Sequence, residues 1–362
     1  AALGQPNWDL ATAPQMTRAT HPKGFIYRYQ TPVDVPAEFY QYKFYVTFKG
    51  GTRRWVGDPC ARYGGSENQN SGVVVGGSRP TVRPLAGGRK PLRDLVIYEL
   101  MIDDFTDEFR GWRAPLDAVC DKLDYLANDL GVNAILFMPW TAWPGEDFSW
   151  GYTPYQYFSV EHRYANALRA PAEKLSWLKK LISECHDRGI HVIMDGVFNH
   201  VGDAPLAGET AYGFPYHWLY RNHAASPYTG TFGNSFPGLQ ELDFHNGCTR
   251  EFIRDVCLYW IDEFKIDGIR FDNTVNFHIP GNADGLPQLL SDIQSYVAAK
   301  GEQNFSLTLE HIDMSAAEVV KNTAATSYWH NGLYEAASNG LPSRRVGPKL
   351  QNALDYHAYL PD

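Results

Sequence analysis

From Asp94 onward the 362-residue chain alternates apolar strand-like runs with amphipathic helical ones, and this alternation constrains its fold more than any other feature. The strand-like runs are LVIYELM (95–101), AILFMP (134–139), HVIMDGVF (191–198), GIRFD (268–272) and LTLEH (307–311), with a sixth near 325–329. Helical patterns fall between them, near 116–129, 172–188, 249–264 and 285–299. Leu116, Val119, Leu123, Leu126 and Leu130 recur at spacings of three and four and predict one inward stripe, ended by Gly131. Strands that alternate with helices of this length pair in parallel and carry their helices as crossovers. The strands run out into polar residues: Asp195, Asn199, Asp272 and Glu310. In a parallel barrel or open α/β sheet those ends share one face, and ligands bind there.

Residues 1–90 read differently. They are rich in Gly, Pro and β-formers, with strand-like runs at 24–30, 39–48 and 72–75, and predict a small all-β sandwich. Clustered Gly, Pro and Arg over 76–93 read as a linker, so the second unit spans 91–362. A net charge of -9 disfavours a nucleic-acid partner, whose phosphates need a basic surface. No apolar run approaches the roughly 20 residues of a membrane-spanning helix. The 10 Trp, 22 Tyr and 19 Phe supply flat faces with polar edges, suited to sugar rings as well as to a core. Five cysteines, an odd number without metal-ligand spacing, predict buried thiols rather than a disulfide framework.

Two carboxyls at the ends of adjacent strands can do acid–base and nucleophilic work on a glycosidic bond, for which retention of configuration needs them roughly 5–5.5 Å apart. Asp272 and Glu310 close successive strands with one helix between them. Arg270 shares a strand face with Asp272, two residues away, and is expected to lower its pKa and keep it ionised. Each residue alone has a plainer reading. A strand-end acid often caps a helix or pairs with a cation, Asp195 could hold a loop, and a single histidine such as His200 usually satisfies hydrogen bonds.

Taken in order, these segments resemble the α-amylase family of glycoside hydrolases and transglycosylases, over about Asp94 to His330. DGVFNH (195–200) is similar to the third-strand motif and GIRFDN (268–273) to the fourth, with Glu310 in LTLEH in the acid/base position. WGYTPYQY (150–157) resembles the Gly-Tyr-x-Pro loop, and LQELDF (239–244) the motif between strands three and four. The resemblance implies a (β/α)8 barrel with Asp272 as nucleophile and Glu310 as general acid/base. It also implies that Tyr152, Asp195, His200, Arg270 and His311, the neighbour of Glu310, contact substrate. A structural Ca2+ would draw on Asn199, Asp203 and Glu241, because calcium takes hard oxygen donors. The N-terminal module is similar to those of branching enzymes and isoamylases. It is expected either to pack on the barrel or to bind glucan through Trp55 and nearby aromatics.

Two departures stand out. Thr274, Val275 and Asn276 occupy positions where many α-amylases carry Lys-His, which puts calcium and strict α-amylase specificity in doubt. After Glu310 no His-Asp pair supplies the third acid, and Asp355 has Tyr356 and His357 after it instead. With six strands legible and eight needed for closure, the barrel is expected to lack its C-terminal strands, to be supplied by a complementary segment. Three functions remain open: hydrolysis of α-1,4 or α-1,6 glucosidic bonds in starch, glycogen or maltooligosaccharides; transglycosylation on the same residues; or glucan binding without catalysis. A polymeric substrate and a start without Met lean toward export, whether secreted or periplasmic.

Overall fold

The computed structural model describes residues 8–22, 24–31, 34–64, 70–77, 79–143, 150–165, 173–202, 215–220, 225–230, 240–313 and 315–340. Asp203 and the stretch 341–362, with Asp355 and His357, lie outside them.

Six strands form one parallel sheet: β1 (Ile97–Leu100), β2 (Ala134–Phe137), β3 (His191–Gly196), β4 (Gly268–Phe271), β5 (Ser306–Leu309) and β6 (Ser327–Tyr328). Their spatial order follows the chain without reversal, each strand hydrogen-bonded to the next. Right-handed crossovers in unbroken order put every helix on the same face, so the sheet curls as in a barrel rather than sandwiching between two helix layers. Among the described residues β1 and β6 are its two edges, so this is an open six-stranded part of a (β/α)8 barrel.

The period of two sorts the strand residues between faces. Ile135, Phe137, Val192, Met194, Ile269, Phe271, Leu307 and Leu309 point outward into the main core, where they meet the helices. These are α1 (Lys174–Asp187), α2 (Gly247–Phe264) and α3 (Leu286–Ala299). Leu181, Cys185, Val256, Trp260, Leu290 and Ile293 are fully buried there. On the inner face Ala134, Leu136 and Ile193 form a second apolar cluster, with Leu95 and Trp329 packed against it. Asn246 caps α2 by accepting from the Cys248 N–H, and Lys265 ends it in the left-handed conformation at φ 53°.

The helical run over 115–129 passes from α (Pro115–Ala118) through 3-10 (Val119–Lys122) to π geometry (Tyr125–Asp129). Leu116, Val119, Leu123 and Leu126 are buried as the stripe predicts, but Leu130 is 49% exposed. The Leu130 N–H reaches back five residues to the Tyr125 carbonyl, and this wider turn rotates Leu130 off the stripe. Gly131, at φ 72°, then stops the helix as expected.

The N-terminal region is built of three small antiparallel sheets. One is the hairpin Thr17–His21 with Gly24–Arg28. The run 39–48 divides at Lys43: Phe39–Tyr42 pairs with Ser71–Val74, and Phe44–Thr47 with Arg53–Val56. This region packs on the barrel, where fully buried Lys174 donates to the carbonyls of Gly64 and Val160. The Gly64 N–H donates to Ser159 Oγ at 2.6 Å. Trp55 packs on Tyr45, ring centroids 4.9 Å apart. All five cysteines are free.

Candidate active site

The polar inner-face residues converge at the C-terminal ends of β3, β4 and β5, and Arg270 is their centre. Its guanidinium, 3% exposed, donates from Nη1 to Asp195 Oδ1 at 2.5 Å and to Asp272 Oδ1 at 3.0 Å. From Nη2 it pairs with Glu310 Oε2 at 2.7 Å. Three strands thus each bring one acid to one cation, because positions 195, 270, 272 and 310 all fall on the inward phase of their strands. Arg270 also stacks on Trp329, with its Cζ 4.4 Å from the ring centroid, and lies 5.8 Å from that of Tyr152.

Local sequence explains the approach. A Cβ on Gly268 would come within 1.8 Å of Ser306 Oγ and 2.9 Å of its carbonyl, so glycine lets β4 and β5 close up, while one on Gly196 would come within 2.3 Å of the Phe198 ring two residues on. Asn273 turns the chain into the left-handed region at φ 43°, a conformation Asn tolerates. Its N–H donates to Glu310 Oε2 at 2.8 Å. Thr274 donates from Oγ1 to the Glu310 carbonyl at 2.8 Å, tying the ends of β4 and β5 together.

Three acids around one cation leave an excess of negative charge in a dry place. Burial is the largest effect on Asp195 and, despite Arg270, pushes its carboxyl up to about 6. Asp272 is raised to about 7, again chiefly by burial, with Asp195 and Glu310 adding to the shift and Arg270 opposing it. The sequence expectation that Arg270 would hold Asp272 below its usual range is therefore corrected. The cation acts in the predicted direction but is outweighed by desolvation and two neighbouring acids. Asp272 and Glu310 meet on the one guanidinium, at 3.0 Å through Nη1 and 2.7 Å through Nη2.

A cavity of about 450 Å³ opens onto this pair, lined by Tyr152, Thr153, His200, Asp272, Asn273, Val275, Glu310 and Ile312. Tyr152 donates its hydroxyl to Asp195 Oδ2 at 2.8 Å. His200 contacts the Tyr152 carbonyl through Nε2 at 2.7 Å and Asn199 Oδ1 through Nδ1 at 2.5 Å, and burial lowers its pKa. The Gly-Tyr-x-Pro loop and the third-strand motif therefore lock onto each other.

His311 belongs elsewhere. It is buried, contacts Thr274 Oγ1 at 3.0 Å and Ser315 Oγ at 3.1 Å, and is not among the residues lining the cavity. Asn199 has its Oδ1 on His200 and its Nδ2 on the Asn273 carbonyl, while Glu241 is buried on a two-residue strand paired with His200–Val201. Among the described residues no group of three or more His, Cys, Asp or Glu could hold a metal ion. Trp329 and the Asn273 N–H were not singled out from sequence. The alternation that carries Ser327 inward also carries Trp329 inward, so the signal for Trp329 was present.

Residues 100–212 match the family described as the α-amylase catalytic domain. The chain is 36% identical over 260 residues to a malto-oligosyltrehalose trehalohydrolase from Saccharolobus solfataricus, covering 70% of this chain and 40% of that protein. It is 30% identical over 206 residues to pullulanase A of Streptococcus pneumoniae serotype 4, covering 51% of this chain and 15% of that one. In structure it is similar to the Anoxybacillus pullulanase complexed with maltotetraose, with a TM-score of 0.67 at 22% identity over 88% of this chain and 48% of that one. The chain thus spans less than half the length of each of these relatives.

Proposed function

Because residues 100–212 and the fold around them make this an α-amylase-family catalytic domain, we propose that the chain carries the reacting residues of a retaining glycosidase acting on α-glucosidic bonds. The observation that supports this most is the Asp272–Glu310 pair, on adjacent strands, bound to one arginine and open to the cavity. Asp272 attacks the anomeric carbon while Glu310 protonates the departing oxygen, and Glu310 then deprotonates the water that releases the glycosyl ester. For attack, Asp272, which burial and its neighbouring acids push up to about 7, must give up its proton. Arg270 stabilises the Asp272 anion from which attack proceeds. Asp195, fixed by Tyr152 and Arg270, meets the sugar hydroxyls, and the Tyr152 and His200 rings flank the bound ring.

Water, rather than a second sugar, is the acceptor we favour, because the trehalohydrolase is 36% identical to this chain. A maltooligosaccharide ending in trehalose is then the first substrate to try, beside starch. A C-terminal segment that pairs with the open edges of β1 and β6 would close the barrel and supply a third acid. Asn199 Oδ1 accepts from His200 and keeps a second lone pair that a structural Ca2+ could use; a rise in melting temperature with added Ca2+, reversed by chelation, would support it.

The test is reducing-sugar release from soluble starch and trehalose release from the oligosaccharide, with and without the C-terminal segment. Release abolished by Asp272→Asn supports the proposal. Binding of glucan without release in any form would make the chain a binding protein instead.

A further inference from the structure

Glu310 is held at both ends. Its carboxylate pairs with Arg270 Nη2 at 2.7 Å and accepts from the Asn273 N–H at 2.8 Å. Its carbonyl accepts twice from Thr274, from the N–H at 2.9 Å and from Oγ1 at 2.8 Å. Asn273 and Thr274 directly follow Asp272, so one turn ties the two acids together. Whether the fully buried Thr274 hydroxyl points at that carbonyl depends on what lies on its other side, which is His311.

His311 follows Glu310 and points to the opposite face, so it lies behind the acid and outside the cavity. Its Nδ1 is 3.0 Å from Thr274 Oγ1. Its Nε2 is 3.1 Å from Ser315 Oγ and 3.4 Å from Asp313 Oδ1, and Ser315 Oγ reaches Asp313 Oδ1 at 2.5 Å. The His278 ring meets it edge-on, with centroids 5.8 Å apart. A chain of contacts thus runs from Asp313 through Ser315, His311 and Thr274 to the Glu310 carbonyl. A hydroxyl has one proton and a carbonyl only accepts, so Thr274 Oγ1 donates to Glu310 and takes a proton from Nδ1. Were Thr274 to donate to the ring instead, two oxygens would face each other at 2.8 Å with no proton between them. Nδ1 therefore carries a proton both in the neutral ring, where Nε2 receives the Ser315 O–H, and in the charged one.

We propose that His311 is a positioning residue for Glu310: by donating from Nδ1 it turns the Thr274 hydroxyl onto the Glu310 carbonyl and so fixes where the carboxyl meets the departing oxygen. This rests on the reading of Glu310 as general acid/base. A departing sugar oxygen needs the acid's proton and a departing fluoride hardly does, so loss of the relay is felt according to the leaving group.

The experiment measures kcat/KM of the full chain for a maltooligosaccharide and for α-maltosyl fluoride, because kcat/KM excludes the later step in which Glu310 acts as base. The variants are Thr274→Val, which keeps the shape and lacks the hydroxyl, Thr274→Ser, His311→Leu, and His311→Asn, whose amide can present an N–H near the place of Nδ1. Val and Leu should lower the oligosaccharide value about ten- to hundredfold and the fluoride value by less than about threefold, with Ser and Asn recovering most of the loss. Equal losses on both substrates mark a purely structural role and overturn the inference, as does no loss in a folded Val variant. If His311→Leu does not fold, Thr274→Val decides. NMR gives a readout that needs no turnover: long-range 1H–15N spectra should show His311 protonated at Nδ1, and the Glu310 13C-carboxyl resonance should move in Thr274→Val and return in Thr274→Ser. A bare Nδ1 or an unmoved carboxyl overturns the inference even in an active enzyme. If both signatures appear in a chain that releases neither sugar nor fluoride, the relay stands and the reading of Glu310 as acid/base falls.

Discussion

Asp195→Asn exposes the conflict between stability and chemistry in this site. The Asp195 side chain is fully buried, and its carboxyl is raised to about 6 against about 3.9 in an unfolded chain. A raised acid contributes stability that is fully present below the unfolded value and is lost as pH rises through the folded one. For Asp195 the window is pH 4 to 6, and a shift of about 2 units at about 1.4 kcal/mol each amounts to about 3 kcal/mol. Asparagine resembles the neutral form and does not suffer that loss. Its Oδ1 can keep the Arg270 bond, while the Tyr152 hydroxyl reverses from donor to acceptor toward Nδ2, so no buried polar atom is orphaned. Removing the charge also relieves Asp272, which Asp195 pushes upward. The variant should therefore gain about 1–3 kcal/mol over wild type on going from pH 4 to pH 8 in urea unfolding, while losing most glycosidase activity. A variant destabilised equally at both pH values would refute the reasoning, since its cost would then lie in packing rather than in the ionised carboxylate.

Other positions give sharper losses. Asp267 accepts from Arg89 Nε at 2.8 Å, His186 Nε2 at 3.0 Å and the Val192 N–H at 2.9 Å, so Asp267→Ala strands buried donors and should cost about 3–5 kcal/mol at pH 7 by urea unfolding. Burial pushes Asp267 up, but His186, Arg89 and Val192 outweigh it and the carboxyl ends below its usual range. Its contribution is thus present above about pH 4 and is lost as pH falls through the folded value, so the gap to Ala should narrow in acid. Gly196→Ala drives a methyl into Phe198 and should lower the melting temperature by an amount equivalent to about 2–4 kcal/mol. Glu310→Gln removes the proton donor and should cut kcat about 10²- to 10⁴-fold, less with substrates whose leaving group needs no protonation.

The four central strands of the barrel were legible because they are buried on both sides and read as largely apolar runs, as in AILF, HVIM and LTL. Leu130 defeated the pattern because a π turn is invisible to a period of 3.6. The N-terminal run 39–48 concealed a change of sheet at Lys43, where one continuous β-prone string serves two partners. At the site, alternation along strands sufficed to bring Asp272, Glu310, Arg270 and Asp195 together. The sign of the Asp272 shift was not readable, since sequence shows the arginine two residues away but not the dryness that outweighs it. His311 next to Glu310 was misleading for a simple reason: neighbours at a strand end point to opposite faces.

The central claim is that Asp272 forms a covalent bond to the sugar. Incubation with a fluorinated α-glucosyl fluoride, which slows hydrolysis of the ester more than its formation, followed by intact mass and peptide mapping, tests it directly. The account predicts one added glycosyl group, on the peptide containing GIRFDN and absent in Asp272→Asn. Turnover that yields the β-anomer first, with no adduct or with an adduct on another carboxylate, would contradict it.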